Sequence, residues 1–506
     1  MTAVADRLDV VSVELPTGRP VASTVAQRVG RMLLTHVWLL PSLLMLLIGR
    51  WRIGLPGLWP DELATLNAAR MPREDLLKLL SNIDAVDAPY YLVMHYWVRA
   101  FGVSEIALRL PSLFAMSTAA GLVAVLSKRL FGPEAGLLAG LLFAVHPITA
   151  RYAQEARGYA FAVAFAVLAT LLLTRLVARP TWWRALLYGL SLAGAGLAHL
   201  VAMFLIAGHA AVLVAWWWRH RRGAVAALSW WVAGVAVAVL VVLPLALLGF
   251  EQRHSASWIR EPQARELLAA IDGIHGSGVV AGLLLGVALF GWRPGWPRWL
   301  LVCWAVVPVL VLYLVSVTAL PLYYTRYLLF TAPALVLLAA AGLTGRLKLG
   351  LVVVLAVALV GVPQQLAYRA SDGHRYGTRE VARLINRYYQ PGDGIAYALN
   401  EPVIPWGARD LVARYVRPDR RPTDVFAVSP QRSDGRFLAQ ECADAQLGVC
   451  LGETPRLWVI RYRTHPDPLA GIGSAKEVVL RQEYAVTKVW LVTAFTVALY
   501  ERGAGG

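Results

Sequence analysis

The sequence predicts an all-α, multi-pass membrane bundle of about eleven spans, followed by a small α/β domain. Three observations carry that reading. Repeated apolar runs approach the roughly 20 residues that a helix needs to cross a bilayer. Of 506 residues, 58% are hydrophobic and only 16% charged, whereas soluble domains average about 45–50% apolar and about a quarter charged. After about residue 366 the hydropathy falls and strand and turn signals begin.

The spans read in order as Leu33–Ile48, Leu108–Leu126, Ala135–Ile148, Ala160–Val177, Trp183–Ala198 and Val201–Trp218. Ala224–Leu248, Gly278–Phe290, Trp299–Val317, Tyr327–Leu343 and Leu349–Val362 complete the set. Residues 1–32 are polar and mixed, lack a signal-peptide pattern, and read as a cytosolic tail. With Arg28 and Arg31 inside, every strongly basic short loop falls on the same side: Lys128-Arg129, Arg175 with Arg179 and Arg184, Arg219 with Arg221 and Arg222, Arg293 with Arg298, and Arg346 with Lys348. Basic residues collect in cytoplasmic loops, so this order fixes the orientation. It also accounts for the net charge of +17 without nucleic acid, for which the chain has no basic-aromatic groove motif. The Ala, Leu, Val and Arg bias hints at a high-GC bacterium, so the expected location of the spans is a bacterial plasma membrane.

Pro89–Phe101 is apolar but too short to span, and counting it would invert every later loop. It reads as a juxtamembrane helix on the outer face. Three outer segments then remain: Gly49–Ala107, Pro147–Tyr159 and Pro321–Tyr327; a fourth, Phe250–His275, is polar and suits a lid. In the extracytoplasmic tail, 367–506, Thr378–Tyr389 has helical periodicity, Pro391-Gly392-Asp393-Gly394 is a turn, and Leu457–Tyr462 and Val489–Tyr500 read as strands. Cys442 and Cys450 share this domain, where an oxidising compartment suits a disulfide or leaves two thiols. Cys303 sits within a span as packing.

Chemistry concentrates at the outer rim. Asp61 and Glu62 follow Trp59-Pro60 in the first outer segment. Acids after a proline commonly open a helix, yet a carboxylate here also serves to take a proton from a hydroxyl. The second segment gathers Arg151, Tyr152, Gln154, Glu155, Arg157 and Tyr159. Arg151 and Glu155 have i,i+4 spacing, and two arginines with tyrosine and glutamine also suit a phosphate and a sugar. Arg326 and Tyr327 suit the same role, or that of an interfacial anchor. His199 and His209 read as satisfied helix histidines, and Trp216-Trp217-Trp218 as an interfacial belt. Acids and histidines share the outer face without metal-ligand spacing, so a divalent metal is compatible but not called for, and no cofactor is.

These motifs resemble the integral-membrane glycosyltransferases of the GT-C type, notably protein O-mannosyltransferases, the lipid A aminoarabinose transferase and actinobacterial mannosyltransferases. The resemblance covers about residues 33–340. It rests on Trp59-Pro60-Asp61-Glu62, on Asp87-Ala88-Pro89-Tyr90-Tyr91-Leu92 followed by Trp97 and Phe101-Gly102, and on Arg109-Leu110-Pro111-Ser112, Gln154–Tyr159 and Arg326-Tyr327. It implies a GT-C catalytic domain over 33–366 and a polyprenyl-phosphate sugar donor, with mannose the first guess. Asp61 is then the general base and Glu62 its support or the acceptor's holder. Arg157 and Arg326 contact the donor phosphate, with Tyr327, Gln154, Glu155 and Tyr159 lining the donor site; Asp87 and Tyr91 support the acceptor or the loop. Protein O-mannosyltransferases have His-Pro-Pro-Leu where this chain has Asp87-Ala88-Pro89-Tyr90, which favours a glycan or lipid acceptor. A phosphate leaves without a proton, so one base suffices and in-line attack inverts the anomeric centre. The alternative is a transporter or flippase of a lipid-linked sugar. Transporters often carry internal repeats and mid-membrane charge; here repeats are not visible and the charges line the rim.

Overall fold

The computed structural model describes residue 32 and residues 34–220, 224–401 and 403–503. The predicted cytosolic tail up to Arg31, with Arg28, lies outside the described residues, as do Leu33, Arg221 and Arg222. Every predicted span falls on a helix, but lengths differ. Among the described residues, seven helices are long and apolar enough to cross a membrane, or up to nine if each of two bent pairs is one span. The first, α1 (Leu39–Arg50), is only 12 residues, and Trp182–Ala198 has 17. The count of eleven is therefore a count of apolar helices, several too short to span unaided.

The two bent pairs have legible causes. Pro133–Val145 and Pro147–Ala153 meet at 63°, where Pro147 removes a backbone donor and clashes with the preceding turn. Ala264–His275 and Gly278–Phe290 meet at 90° across Gly276, whose φ of +67° suits glycine. The segment expected as a lid is thus largely a helix, with Ala270, Ile274 and His275 buried.

The basic loops other than that of Arg219, Arg221 and Arg222 gather at one end of the bundle. Lys128 Nζ donates to Thr35 O (2.8 Å) and Arg129 Nε to Thr174 Oγ1 (2.8 Å). Arg298 lies over the Phe131 ring (5.3 Å) and donates to Ala341 O (2.9 Å). The C-terminal domain and the Asp61 segment occupy the other end, called here the domain side.

On the domain side, α2 (Pro60–Arg70) and α3 (Arg73–Asn82) lead to α4 (Ala88–Phe101), the expected juxtamembrane helix. Val93, Tyr96 and Phe101 of α4 are exposed while Tyr90, Tyr91, Met94 and Val98 are buried. The tail holds β1 (Gly394–Tyr397), β2 (Thr423–Asp424), β3 (Ala427–Ser429), β4 (Gln440–Glu441), β5 (Arg456–Tyr462), β6 (Tyr484–Val492) and β7 (Phe495–Arg502); five of them form a sheet of order β2-β1-β5-β7-β6, with β1 parallel to both β2 and β5. The single strand predicted over Val489–Tyr500 is instead a hairpin of β6 (Tyr484–Val492) and β7 (Phe495–Arg502). Its turn puts Ala494 at φ +65°, a role usually given to glycine or asparagine, so the sequence carried no turn signal. Cys442 and Cys450 form a disulfide, and Cys303 is free and half-buried.

One hydrophobic core joins Leu58, Leu63 and Leu66 of the first long loop, Tyr91 and Met94 of α4, and Val381, Ile385 and Trp458 of the tail. Burial at about 25 cal/mol per Å² of apolar surface ties the tail to the segment that carries Asp61 and Glu62.

Candidate active site

Helix α2 opens at Trp59, with Pro60 at its first position, where the missing N–H is no loss. Asp61 and Glu62 follow in the first turn and diverge. Glu62 points inward and is fully buried. Its carboxylate accepts from Arg109 Nε (2.9 Å) and Nη2 (2.7 Å), and from the Ala156 amide (2.8 Å). It also caps α2 through the Trp59 amide at 3.4 Å. Burial alone raises a carboxyl pKa, but Arg109, with a smaller contribution from His374, overrides it and holds Glu62 far below the ordinary range. Arg109 spends its remaining donors on the carbonyls of Ile53, Pro56 and Gly57. The pair ties the loop before α2 to the span Glu105–Phe131. Glu62 has no open face for a substrate; its place is that of a positioning residue.

Asp61 turns the other way and is about a fifth exposed, with Oδ2 3.7 Å from Arg326 Nη2. Burial raises its pKa; Arg326 and Arg157 oppose the shift, and Asp87 and Glu62 add to it. The helix-start reading is also satisfied, because Asp61 lies in the first turn of α2.

Arg326 stands at the start of the 3₁₀ segment Thr325–Thr331. Its guanidinium faces the rings of Tyr324 (4.6 Å), Trp59 (5.0 Å) and Tyr327 (5.9 Å), and its buried Nε has no hydrogen-bond partner. Arg157 donates to Asp87 Oδ2 (2.7 Å) and Tyr91 Oη (3.3 Å). Tyr91 in turn donates to Asp84 (3.2 Å), whose carboxyl burial and Asp87 push up to about 6. Tyr159 and Tyr327 stack at 6.4 Å.

The fold thus brings together Asp61, Arg157, Arg326, Asp87, Tyr91, Tyr159 and Tyr327. It draws two predicted donor residues away. Gln154 is buried and donates both amide hydrogens to the carbonyls of Gly49 and Trp51, each at 2.7 Å, leaving no donor for a ligand. Glu155 pairs with Arg151, as its i,i+4 spacing anticipated, and keeps only a buried, unpartnered Oε1.

His199, expected to be a satisfied helix histidine, is not one. It sits at the break after Trp182–Ala198 with extended backbone, φ −164° and ψ 115°. Its ring lies 4.7 Å from Tyr327 and 5.2 Å from Tyr159, and buried Nδ1 has no partner. The only sequence signal was its position at a span's outer end. His209 matches expectation, bonded to Thr170 (3.1 Å) and Tyr188 (3.0 Å). Among the described residues, no group of three or more His, Cys, Asp or Glu converges as a metal would require.

The family model of dolichyl-phosphate-mannose-protein mannosyltransferases matches residues 89–247, a stretch that includes Tyr91 and Arg157 and omits Asp61 and Arg326. Among solved structures, ArnT from Cupriavidus metallidurans bound to undecaprenyl phosphate superposes with a TM-score of 0.55 at 15% identity, covering 91% of this chain and 97% of its own. The chain has the GT-C fold of ArnT. Its apo form gives the same TM-score and identity over 94% and 98%. Archaeal AglB from Archaeoglobus fulgidus, in complex with an inhibitory peptide and a dolichol-phosphate, aligns at TM-score 0.48 and 10% identity over 94% of this chain and 75% of its own. No curated protein matches the sequence. The fold and the many apolar helices make this a multi-pass membrane protein resembling the GT-C glycosyltransferases.

Proposed function

We propose that the protein is an inverting membrane glycosyltransferase that moves a sugar, mannose as the first candidate, from a polyprenyl-phosphate donor to a cell-envelope glycan or lipid. The observation that carries this reading is the pairing of Asp61 with Arg326 at 3.7 Å, on a rim that also holds Arg157. A carboxylate with a raised pKa lies beside an arginine with an unspent donor. That is the polarity the reaction needs: a base for the acceptor hydroxyl and cations for the departing phosphate.

In this mechanism Asp61 takes the acceptor proton as the hydroxyl oxygen attacks the anomeric carbon. The carbon–oxygen bond to the phosphate breaks on the opposite face, inverting the centre. Arg326, with Arg157, stabilises the phosphate dianion that leaves. Tyr159, Tyr327 and Trp59 supply apolar faces on which a sugar ring packs, and His199 presents its unpartnered Nδ1 to a sugar hydroxyl. The Glu62–Arg109 pair holds α2 so that Asp61 keeps its aim. The domain side is extracytoplasmic in a bacterial plasma membrane, in keeping with the basic loops at the opposite end and with the disulfide in the tail.

The test is direct. Purified protein is incubated with polyprenyl-phosphate mannose and with other polyprenyl-phosphate sugars, and polyprenyl phosphate release and product anomer are measured. Sugar transfer with inversion, slowed about 10²–10⁴-fold by Asp61→Asn, is expected. Transport of intact lipid-linked sugar without cleavage in either protein would replace this reading with that of a flippase.

A further inference from the structure

A cavity of about 610 Å³ opens at the seam between the tail and the bundle. None of Asp61, Arg157 and Arg326 lines it. One wall is the face of helix Thr378–Tyr388 that carries Arg379, Arg383 and Asn386; Arg414 and Tyr415 form another, and Glu105 and Leu55 the floor. Three arginines thus face one carboxylate. Glu105 is already engaged: Oε1 takes the Tyr415 hydroxyl (2.9 Å) and Arg379 (3.1 Å), and Oε2 lies 3.6 Å from Arg414. Positive charge is left over. Arg379 Nε is buried without a partner, and Arg383 is exposed and forms no ion pair or hydrogen bond among the described residues.

The position selects the ligand. Glu105 opens the membrane-spanning helix Glu105–Phe131, so the cavity lies at head-group level. Leu55 of its floor is exposed, as are Ile106, which follows Glu105 in the chain, and Trp51, four residues before Leu55. Cationic donors above an exposed apolar band match the phosphate and the acyl chains of one lipid, and the arginine fork matches phosphate oxygens.

We propose that this cavity binds the phosphate head group of an anionic phospholipid from the leaflet on the domain side, with Arg383 as its open donor. The walls connect to the loop before α2. Arg379 donates to Gly54 O (3.1 Å), Thr378 to Leu58 O (3.1 Å), and the Leu58 amide donates to Tyr415 Oη (2.8 Å). A lipid held here braces the chain leading into Asp61. The binding claim does not depend on glycosyl transfer.

The full chain is placed in phosphatidylcholine nanodiscs with increasing phosphatidylglycerol, and the thermal midpoint and the lipid retained in native mass spectrometry are read. Phosphatidylglycerol should raise the midpoint saturably. Arg383→Gln should keep the midpoint in pure phosphatidylcholine, since Arg383 forms no ion pair or hydrogen bond among the described residues, and raise the half-effective phosphatidylglycerol fraction about fivefold, the scale of one arginine at an anionic membrane surface. Arg383→Lys should recover most of the response. Arg463→Gln, the same charge loss elsewhere on the tail, should leave it unchanged. An equal response in wild type and Arg383→Gln overturns the proposal. A saturable shift of the same size from inorganic phosphate alone overturns the lipid as ligand.

Discussion

Replacing Glu62 with Gln tests whether the first acidic motif divides into a working carboxylate and a structural one. Glu62 is fully buried and receives two guanidinium N–H bonds and two backbone N–H bonds. Glutamine keeps the shape but offers one acceptor oxygen, so its NH₂ would face donors now bonded to Oε1 or Oε2. The Arg109 charge would stay buried without its counter-ion. Breaking a buried pair from one side costs about 3–5 kcal/mol. Replacing both partners by apolar side chains of similar size is often near neutral, so Glu62→Met/Arg109→Met should recover much of the loss. Arg109 also satisfies three carbonyls, which keeps that recovery incomplete. Reversible unfolding of the wild type, both single variants and the double variant in one detergent gives the coupling energy. A single-variant loss under about 1 kcal/mol, or no coupling, would refute the structural assignment. The pH dependence has a defined sign. The folded-state pKa of Glu62 lies below its unfolded value of 4.5, so its stabilisation is complete above that value and is lost only as pH falls through the lower, folded value.

Asp61→Asn should cut turnover by about 10²–10⁴ with little change in donor affinity, measured by turnover and binding on the same preparation; near-normal turnover sinks the base. Because the Asp61 pKa is raised above 3.8, the acid limb of the rate profile should lie above the ordinary aspartate value. Arg326→Gln removes a charge that lowers that pKa, so the limb should move to higher pH; an unmoved limb breaks the link between the two residues. Arg326→Ala and Arg157→Ala should each weaken polyprenyl-phosphate binding about tenfold or more, for charge-assisted contacts worth about 1.5–3 kcal/mol, with Lys restoring only part; unchanged affinity in both removes them from the site. With Cys303 replaced by Ser, an impermeant thiol reagent on intact cells should label Val428→Cys and spare Arg179→Cys; the reverse pattern inverts the orientation.

The membrane class, the helical segments, the basic end and the grouping of acids and arginines at the opposite rim were all legible along the chain. They follow from local quantities: apolar run length, loop charge, and proline or glycine at breaks. The Arg151–Glu155 pair was legible for the same reason, since its partners are four residues apart. The Ala494 turn was not, because an alanine there is held left-handed by the strands it joins. Glu62 and Asp61 are adjacent in sequence and indistinguishable by type. Their roles separate only because Arg109, 47 positions beyond Glu62, and the Ala156 amide close over one carboxylate and leave the other beside Arg326. Gln154 reads as a ligand-binding amide until the carbonyls of Gly49 and Trp51 consume its hydrogens. His199 reads as helix packing until the helix ends one residue earlier.

The sequence by itself determined where the chain must avoid water and which end of the bundle carries the basic loops, because hydrophobic transfer and loop charge act residue by residue. Only the tertiary structure decided which of two neighbouring carboxylates is sealed and which stays available. A buried charge is tolerable only against a partner that the fold brings from elsewhere in the chain.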